Sequence, residues 1–190
     1  MLTIIGCGNL NRSDDGVGVL VAQRLQQFIT NHPAPHVRVL DCGTAGIEVM
    51  FQARGSRSLI LIDASKTGAE PGAIHEVPGE VLEQLHNPSY NLHDFRWDHA
   101  IAAGHKIFKD TFPTVVTVYL IEAQTLEFGW TLSPPVAAAA ERVYQLICQC
   151  IESHSNAAPY QESGDPFKPG NSGWVGSQEP GARIQHSPDS

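Results

Sequence analysis

The chain has 190 residues, 42% of them hydrophobic, which is enough for one well-filled core and gives no reason to expect two full domains. Its formal net charge is −8, and the 12 Lys and Arg residues are scattered among 20 acidic residues. Because binding to nucleic-acid phosphates needs clustered basic side chains, this composition excludes nucleic acid as an expected partner.

The N-terminal apolar run Leu2–Cys7 predicts the first strand. It follows no basic stretch and is far too short for a signal or membrane segment, so we expect a cytoplasmic protein with no membrane partner. A helix is predicted next, because apolar residues recur at helical spacing from Val17 onward. Ser13 is its expected N-cap, with Asp14 and Asp15 in the first turn, where exposed amides favour carboxylates.

Strands and helices alternate along the middle of the chain. Strands are predicted at residues 37–41 and 58–63, with a short helix after Gly46 between them. The second of these runs is apolar almost throughout, as expected of a central parallel strand buried on both faces. Residues 68–79 are rich in Gly and Pro, which predicts an edge hairpin or an irregular excursion.

Strands and helices continue to alternate up to about residue 151, and no further element is predicted after it. Asp98 is the expected cap of a helix running to about Phe108, residues 115–121 predict a strand, and residues 134–151 predict a closing helix capped by Ser133. These elements predict a single α/β domain, a three-layer, mostly parallel twisted sheet flanked by helices on both faces. The domain is expected at residues 1–152, and residues 153–190, rich in Ser, Gly and Pro, predict a disordered tail.

The four cysteines are expected to be free thiols in a reducing compartment. Cys7 and Cys42 lie at the apolar ends of strands, while Cys148 and Cys150 share a helix at a spacing that points them apart. Cys7 and Cys42 are conceivable nucleophiles, although a cysteine at a strand end more often packs in the core.

Acidic residues follow three of the predicted strands. Asp15 comes shortly after the first strand, Asp41 ends the second, and Asp63 ends the third. Because ligands of open α/β sheets gather at the carboxyl ends of the strands, two or three of these carboxylates are expected to converge. Like charges at close range need a cation, a proton or amide donors, which permits a metal site. The alternative for each acid is a structural role in a helix turn or a strand-end cap.

Other candidate motifs are weaker. His93 lies in a loop before a predicted helix, where an imidazole is either solvent-exposed or a metal ligand. Gly6 and Gly8 suggest a nucleotide site, but Asn11 replaces the third glycine of the dinucleotide fingerprint. Acids at the following helix start would also repel a pyrophosphate, so no organic cofactor is expected.

Together these motifs resemble the hydrogenase maturation protease family over most of residues 1–150. The resemblance is carried by Gly6-Cys7-Gly8-Asn9, Asp14-Asp15-Gly16-Val17-Gly18, Asp41-Cys42-Gly43-Thr44-Ala45-Gly46, Asp63 and Leu132-Ser133-Pro134. It implies an endopeptidase that removes a C-terminal peptide from the nickel-loaded large-subunit precursor of nickel-iron (NiFe) hydrogenases. The nearest branch by resemblance is the one that serves the uptake hydrogenases of cyanobacteria.

The resemblance also implies a site. The family's metal-binding triad falls on Asp15, Asp63 and His93, while Asp41 and Gly46 help to shape the cleft. The nickel would be carried by the precursor, which is the expected partner of a monomeric protease. Asp15 and Asp63 are the catalytic candidates, since hydrolysis would use either a metal-polarised carbonyl or a water activated by one of them.

Two other functions stay open. A non-catalytic α/β module would use the same acids to bind a metallated or nucleotide-bearing partner, and a related protease would cut a different precursor, such as one in spore germination. A nucleotide-dependent oxidoreductase ranks last, because both its glycine fingerprint and its ribose-binding acid are missing.

Overall fold

The computed structural model describes residues 1–79 and 97–156, except for the side chains of residues 97, 98 and 154–156. Its strands are β1 (Leu2–Cys7), β2 (Val37–Gly43), β3 (Ser58–Ser65), β4 (Ile74–Pro78) and β5 (Val115–Glu122). Its α-helices are α1 (Val17–Asn31), α2 (Gly46–Ala53), α3 (Trp97–Phe108) and α4 (Pro134–Asn156). Short 3₁₀ turns lie at Ser13–Gly16 and Lys109–Thr111.

The strands form one sheet in the order β2-β1-β3-β5-β4. β1 pairs in parallel with β2 and β3, and β3 pairs in parallel with β5. β4 pairs antiparallel with β5 at the edge of the sheet. The apolar run of β3 therefore occupies the middle of the sheet, where residues 59–64 are all buried, as its composition predicts.

Two apolar clusters cover the two faces of the sheet. Successive side chains of a strand point to opposite faces, so Ile62 and Leu61 of β3 enter different clusters. Ile62 packs in the cluster that contains Leu25 of α1 and residues of α4. Leu61 packs in the cluster that contains Val49 of α2 and Ile101 of α3. The predicted three-layer α/β domain is thereby confirmed.

The structure refines several local expectations. Residues 74–78 form the antiparallel edge strand β4, where the sequence predicted a hairpin or an irregular excursion. The helix α4 continues to Asn156, past the expected end at residue 151. The side chain of Asp98, which carries the predicted cap, is not described, and the rest of the predicted tail, from residue 157, lies outside the described residues. None of the helices that the structure describes is long and apolar enough to span a membrane.

Ser13 is not the N-cap of α1, which corrects the sequence prediction. A 3₁₀ turn separates it from the helix, and α1 begins at Val17 without a side-chain cap. The Ser13 N–H donates to the Gly129 carbonyl, in a distant loop, at 2.8 Å. Ser13 has a φ of 46°, in the left-handed region, whereas an N-cap residue normally has an extended backbone.

Three glycines allow the start of α1 to lie against the carboxyl ends of β1 and β3. A Cβ at Gly6 would lie 2.1 Å from the Gly18 carbonyl oxygen, and one at Gly18 would lie 2.2 Å from the Ile62 carbonyl oxygen. A Cβ at Gly8, which has a φ of +129°, would lie 1.8 Å from the Asp15 carbonyl oxygen. These glycines serve backbone packing, and they bring the turn that carries Asp15 next to the end of β3.

Candidate active site

A cleft of about 290 Å³ lies at the carboxyl ends of β1, β2 and β3. Its walls include Cys7, Gly8, Asp15, Gly43, Gly46, Asp63, Lys66 and Leu126. This is the edge at which open α/β sheets bind their ligands. The structure thus brings two of the predicted site residues, Asp15 and Asp63, to the wall of one cleft.

Asp63 is the more buried of these two acids. Its side chain is 9% exposed, and its Oδ1 accepts a hydrogen bond from the Ala64 N–H at 2.8 Å. It lies near the end of the central strand, whose backbone is paired on both sides, by β1 and by β5. The carboxylate is therefore presented to the cleft from one of the most constrained parts of the sheet.

Asp15 is half-buried and lies in the 3₁₀ turn before α1. Its N–H donates to the Arg12 carbonyl at 3.0 Å, and its carbonyl accepts from the Asn9 N–H at 3.2 Å. These two bonds fix the backbone of the turn from both sides. The cleft therefore has one acid on a strand and a second on a hydrogen-bonded turn.

Asp14 has a different role from its neighbour. It is fully buried, and Ser133 donates to it twice, from its N–H at 2.6 Å and from its hydroxyl at 2.9 Å. The N–H groups of Gln124 and Thr125 donate to it at 2.9 and 3.0 Å. Four donors compensate the buried charge, as burial of a carboxylate requires. Asp14 therefore ties the turn to the loop between β5 and α4, and Ser133 at the start of α4 uses its hydroxyl for this contact.

Asp41 lies outside the cleft wall that contains Asp15 and Asp63. Its side chain is exposed, and it accepts hydrogen bonds from the Gly43 N–H at 2.9 Å and from Gln23 Nε2 at 3.2 Å. It lines a more open, neighbouring depression together with Asn9. Asp41 thus acts on the cleft through the turn at Gly43, while Gly46 lines the cleft directly.

His93 lies outside the described residues, so its predicted place beside the two acids stays a prediction. Within residues 1–79 and 97–156, no three His, Cys, Asp or Glu side chains form a group that could hold a metal ion. The described part of the cleft thus offers two carboxylates.

The thiols near the cleft are poor nucleophiles. Burial raises the pKa of Cys7 well above its usual value, and the nearby charge of Asp63 adds to the effect. Burial, followed by the charges of Glu48 and Asp41, raises the pKa of Cys42 to about 11. Both are therefore protonated at neutral pH, and a protonated thiol is unreactive. All four cysteines are free thiols, as expected.

Glu122, at the end of β5, supports the loop beside the cleft and was not among the predicted site residues. It is 1% exposed and accepts hydrogen bonds from the N–H groups of Thr67 and Gly68, each at 2.8 Å, and from the Ser65 hydroxyl at 3.0 Å. Burial favours a raised pKa, but these donors lower the pKa of Glu122 to about 2. The signal was present, because Glu122 directly follows an apolar strand, as Asp63 does.

Glu122 fixes the loop that carries Lys66 to the cleft. The Lys66 ammonium donates to the carbonyls of Ala123 and Gln124, at 2.8 and 3.0 Å. The loops after β3 and β5 are thereby joined beside the two acids. No sequence signal marked Lys66, because its partners are backbone carbonyls.

Comparison with known proteins gives consistent matches. The family model described as hydrogenase maturation protease matches residues 19–150, a stretch that includes Asp63 and His93 and begins after Asp15. The hydrogenase 2 maturation protease of Escherichia coli is 28% identical over 162 residues, which cover 83% of this chain and 95% of that protein. The coenzyme F420 hydrogenase subunit delta of Methanothermobacter thermautotrophicus is 29% identical over 156 residues, which cover 77% and 91%.

Solved structures share the fold. The hydrogenase maturating endopeptidase HybD from Escherichia coli aligns with a TM-score of 0.65 at 22% identity, covering 80% of this chain and 93% of that one. The hydrogenase 2 maturation peptidase from a Thaumarchaeota archaeon aligns with a TM-score of 0.58 at 23% identity, covering 80% and 97%. The five-stranded sheet and its flanking helices are therefore an architecture already seen in these structures.

Proposed function

Because the chain belongs to the hydrogenase maturation protease family and is therefore a peptide-bond hydrolase, we propose that it trims the nickel-loaded precursor of a NiFe-hydrogenase large subunit. The product would be the large subunit without its C-terminal peptide. The observation that carries the proposal is the presence of Asp15 and Asp63 in the wall of one cleft. A polypeptide entering this cleft would meet both carboxylates.

Nickel recognition by Asp15, Asp63 and His93 is the finer part of the proposal. Two carboxylates and an imidazole form an oxygen and nitrogen set that suits a divalent first-row metal ion. The nickel is part of the substrate on this interpretation, so the precursor supplies the other ligands. A precursor without nickel would then lack the group that these side chains bind, and it would stay uncut.

Hydrolysis needs an attacking water and a donor for the leaving amine. We assign both proton transfers to the carboxylates, because the Cys7 thiol in the same wall is protonated at neutral pH. One carboxylate takes a proton from the water as its oxygen bonds to the scissile carbonyl carbon. The proton then passes to the amide nitrogen as the carbon–nitrogen bond breaks. We propose Asp15 and Asp63 as the candidates for this role, because both line the cleft.

We propose a cellular compartment and an oligomeric state for the protein. The free thiols suit the reducing conditions of the cytoplasm. We propose that the protease acts there as a monomer on one precursor at a time. Its target by resemblance is an uptake hydrogenase of the cyanobacterial type.

A cleavage assay tests the proposal. Purified large-subunit precursor, with and without nickel, is incubated with the protein, and the products are read by intact mass. We expect loss of a C-terminal peptide from the nickel-loaded form only. Cleavage of both forms would show that the protein is a protease that does not require nickel in its substrate. If several hydrogenase precursors stayed intact in both forms, the rivals would be a binding module or a protease for another precursor.

A further inference from the structure

Two aromatic side chains project into solvent from the loop between β5 and α4. Phe128 is 90% exposed and Trp130 is 84% exposed, the two highest values among the large exposed hydrophobic residues of the described chain. Large aromatic side chains normally bury most of their surface, and contiguous exposed apolar surface marks interaction sites. Only Gly129 separates the two residues in the chain, and we call them the aromatic pair.

The loop that carries the aromatic pair is firmly held. The Gly129 N–H donates to the Asn11 carbonyl at 3.0 Å, and the Gly129 carbonyl accepts from the Ser13 N–H at 2.8 Å. Arg12 Nε donates to the Leu126 carbonyl at 3.0 Å. Exposure of the aromatic pair is therefore a property of an anchored loop.

Gly129 is what allows this anchoring. A Cβ at this position would lie 2.4 Å from Ser13 Oγ, so the glycine backbone is pressed against the turn before α1. The flanking side chains of Phe128 and Trp130 remain on the solvent side, as their exposure shows. A rigid aromatic anchor loses little conformational entropy when it binds a partner.

The aromatic pair and one wall of the cleft belong to the same loop. Leu126, two residues before Phe128, lines the cleft together with Asp15 and Asp63. The start of the same loop is fixed by Asp14, the neighbour of Asp15, through the N–H groups at 124 and 125. A polypeptide bound to the pair would therefore contact the loop that also lines the cleft.

We propose that Phe128 and Trp130 form a docking surface for the protein substrate. The surface binds an apolar segment of the precursor, rich in aliphatic or aromatic side chains, next to the peptide that enters the cleft. This inference rests on the proposed function. Contacts remote from the reacting bond supply binding energy and orientation, which a protease with a folded protein substrate requires.

The substrate is favoured over a second copy of the chain because of where the pair lies. The loop that carries the pair also lines the cleft at Leu126. A precursor that enters the cleft therefore meets this loop on its path to the two acids, which a second copy of the chain does not need to reach.

The test compares the wild-type full chain with the double variant F128S/W130S in the nickel-loaded precursor assay. We expect KM to rise roughly tenfold or more, as for loss of a central aromatic contact, with kcat changed by less than about twofold. The matched control is I107S, since Ile107 is 61% exposed on α3, near the end that leads to the amino end of β5 and away from the cleft. The control should retain the wild-type KM.

The outcomes separate the two proposals. Cleavage by wild type with an unchanged KM in F128S/W130S would overturn the docking surface and leave the protease function. If the wild type leaves the precursor intact, the proposed function fails. Binding of the same precursor to the aromatic pair is then tested by tryptophan fluorescence. A blue shift of the emission maximum on adding precursor to the wild type, absent in W130F, would support the docking surface. No shift in the wild type would overturn it. A change from dimer to monomer in F128S/W130S, measured by light scattering, would also overturn it by assigning the pair to self-association.

Discussion

Asp14 and Asp15 are adjacent in the chain, yet their carboxylates have separate surroundings. The Asp14 carboxylate is fully buried and accepts hydrogen bonds from Gln124, Thr125 and Ser133. The Asp15 carboxylate lines the cleft. The first therefore belongs to the framework of the domain, and the second is available to a substrate.

This division predicts unequal losses of stability for two alanine substitutions. Asp14→Ala leaves several buried donors without an acceptor and should lower the free energy of unfolding by about 3 kcal/mol. Asp15→Ala should change it by less than about 1 kcal/mol, as for a partly exposed side chain outside such a network. Urea denaturation followed by circular dichroism measures both. Equal losses in the two variants would contradict the division.

Asp63→Asn and Asp15→Asn should abolish processing while the fold stays intact. Each variant removes a carboxylate charge from the cleft at nearly constant volume, and we expect a fall in cleavage rate on the order of 100-fold or more. Asp41→Asn is the matched control, because Asp41 lies at the same sheet edge outside the cleft wall and its Oδ1 accepts from Gly43. Intact mass of the nickel-loaded precursor is the readout. Normal processing by Asp63→Asn would show that the assigned role is wrong.

Gly18→Ala should damage both stability and processing. The new Cβ would lie 2.2 Å from the Ile62 carbonyl oxygen and 2.4 Å from that of Cys7, so α1 must move away from the sheet. Such overpacking costs about 1–3 kcal/mol, which exceeds the roughly 1 kcal/mol that alanine gains over glycine in a helix. Gly6→Ala meets the same contact from β1 and should behave alike. A more stable and active Gly18→Ala protein would refute the close approach.

Glu122→Gln should change the pH dependence of stability. The folded-state pKa of about 2 lies below the usual value of 4.5, so the contribution of the charged group is present above about pH 4.5 and is lost as pH falls towards 2. The variant should be less stable at pH 7 by about 2 kcal/mol and should lose less stability over that acidic range. Urea melts at pH 7, 4.5 and 3 measure this. Glu70→Gln, at an exposed position, is the control and should follow the wild type.

Cys7→Ala should retain processing. The pKa of Cys7 is raised by burial and by Asp63, so the thiol is protonated at neutral pH and does not act as a nucleophile. We expect a cleavage rate within about threefold of wild type, after allowance for a small packing loss. If a well-folded Cys7→Ala protein lost all cleavage, the assignment of hydrolysis to the carboxylates would be wrong, and the Cys7 thiol would be the candidate nucleophile.

The sheet could be predicted from the sequence because its signals are local. The apolar run of β3 specifies a buried central strand, and the alternation of strands with helical patterns specifies the layers. The loss of the expected cap at Ser13 could not be predicted, because the contact that fixes its backbone runs from its N–H to the carbonyl of Gly129 in a distant loop. The partner is more than a hundred residues away and leaves no mark near Ser13.

The candidate site was predictable only in part. Asp63 and Glu122 both lie at the ends of apolar strands, so a search for acids at strand ends finds both. Only Asp63 of the two is among the predicted site residues. Asp14 and Asp15 share the same local pattern, and no pattern tells which one faces the cleft. Resemblance to a family supplied that choice and supplied His93, which stays a prediction.

The hydrogen bond from the Ser133 N–H to Asp14 joins positions 119 residues apart. The turn that carries Asp15 is therefore complete only when the loop before the last helix has reached it. Non-local contacts of this kind form late and slow the folding of a domain. A nascent or truncated chain without residues 124–133 would display both acids but lack the support that orients one of them. Hydrolytic competence should consequently appear in step with global refolding, with no active intermediate before it.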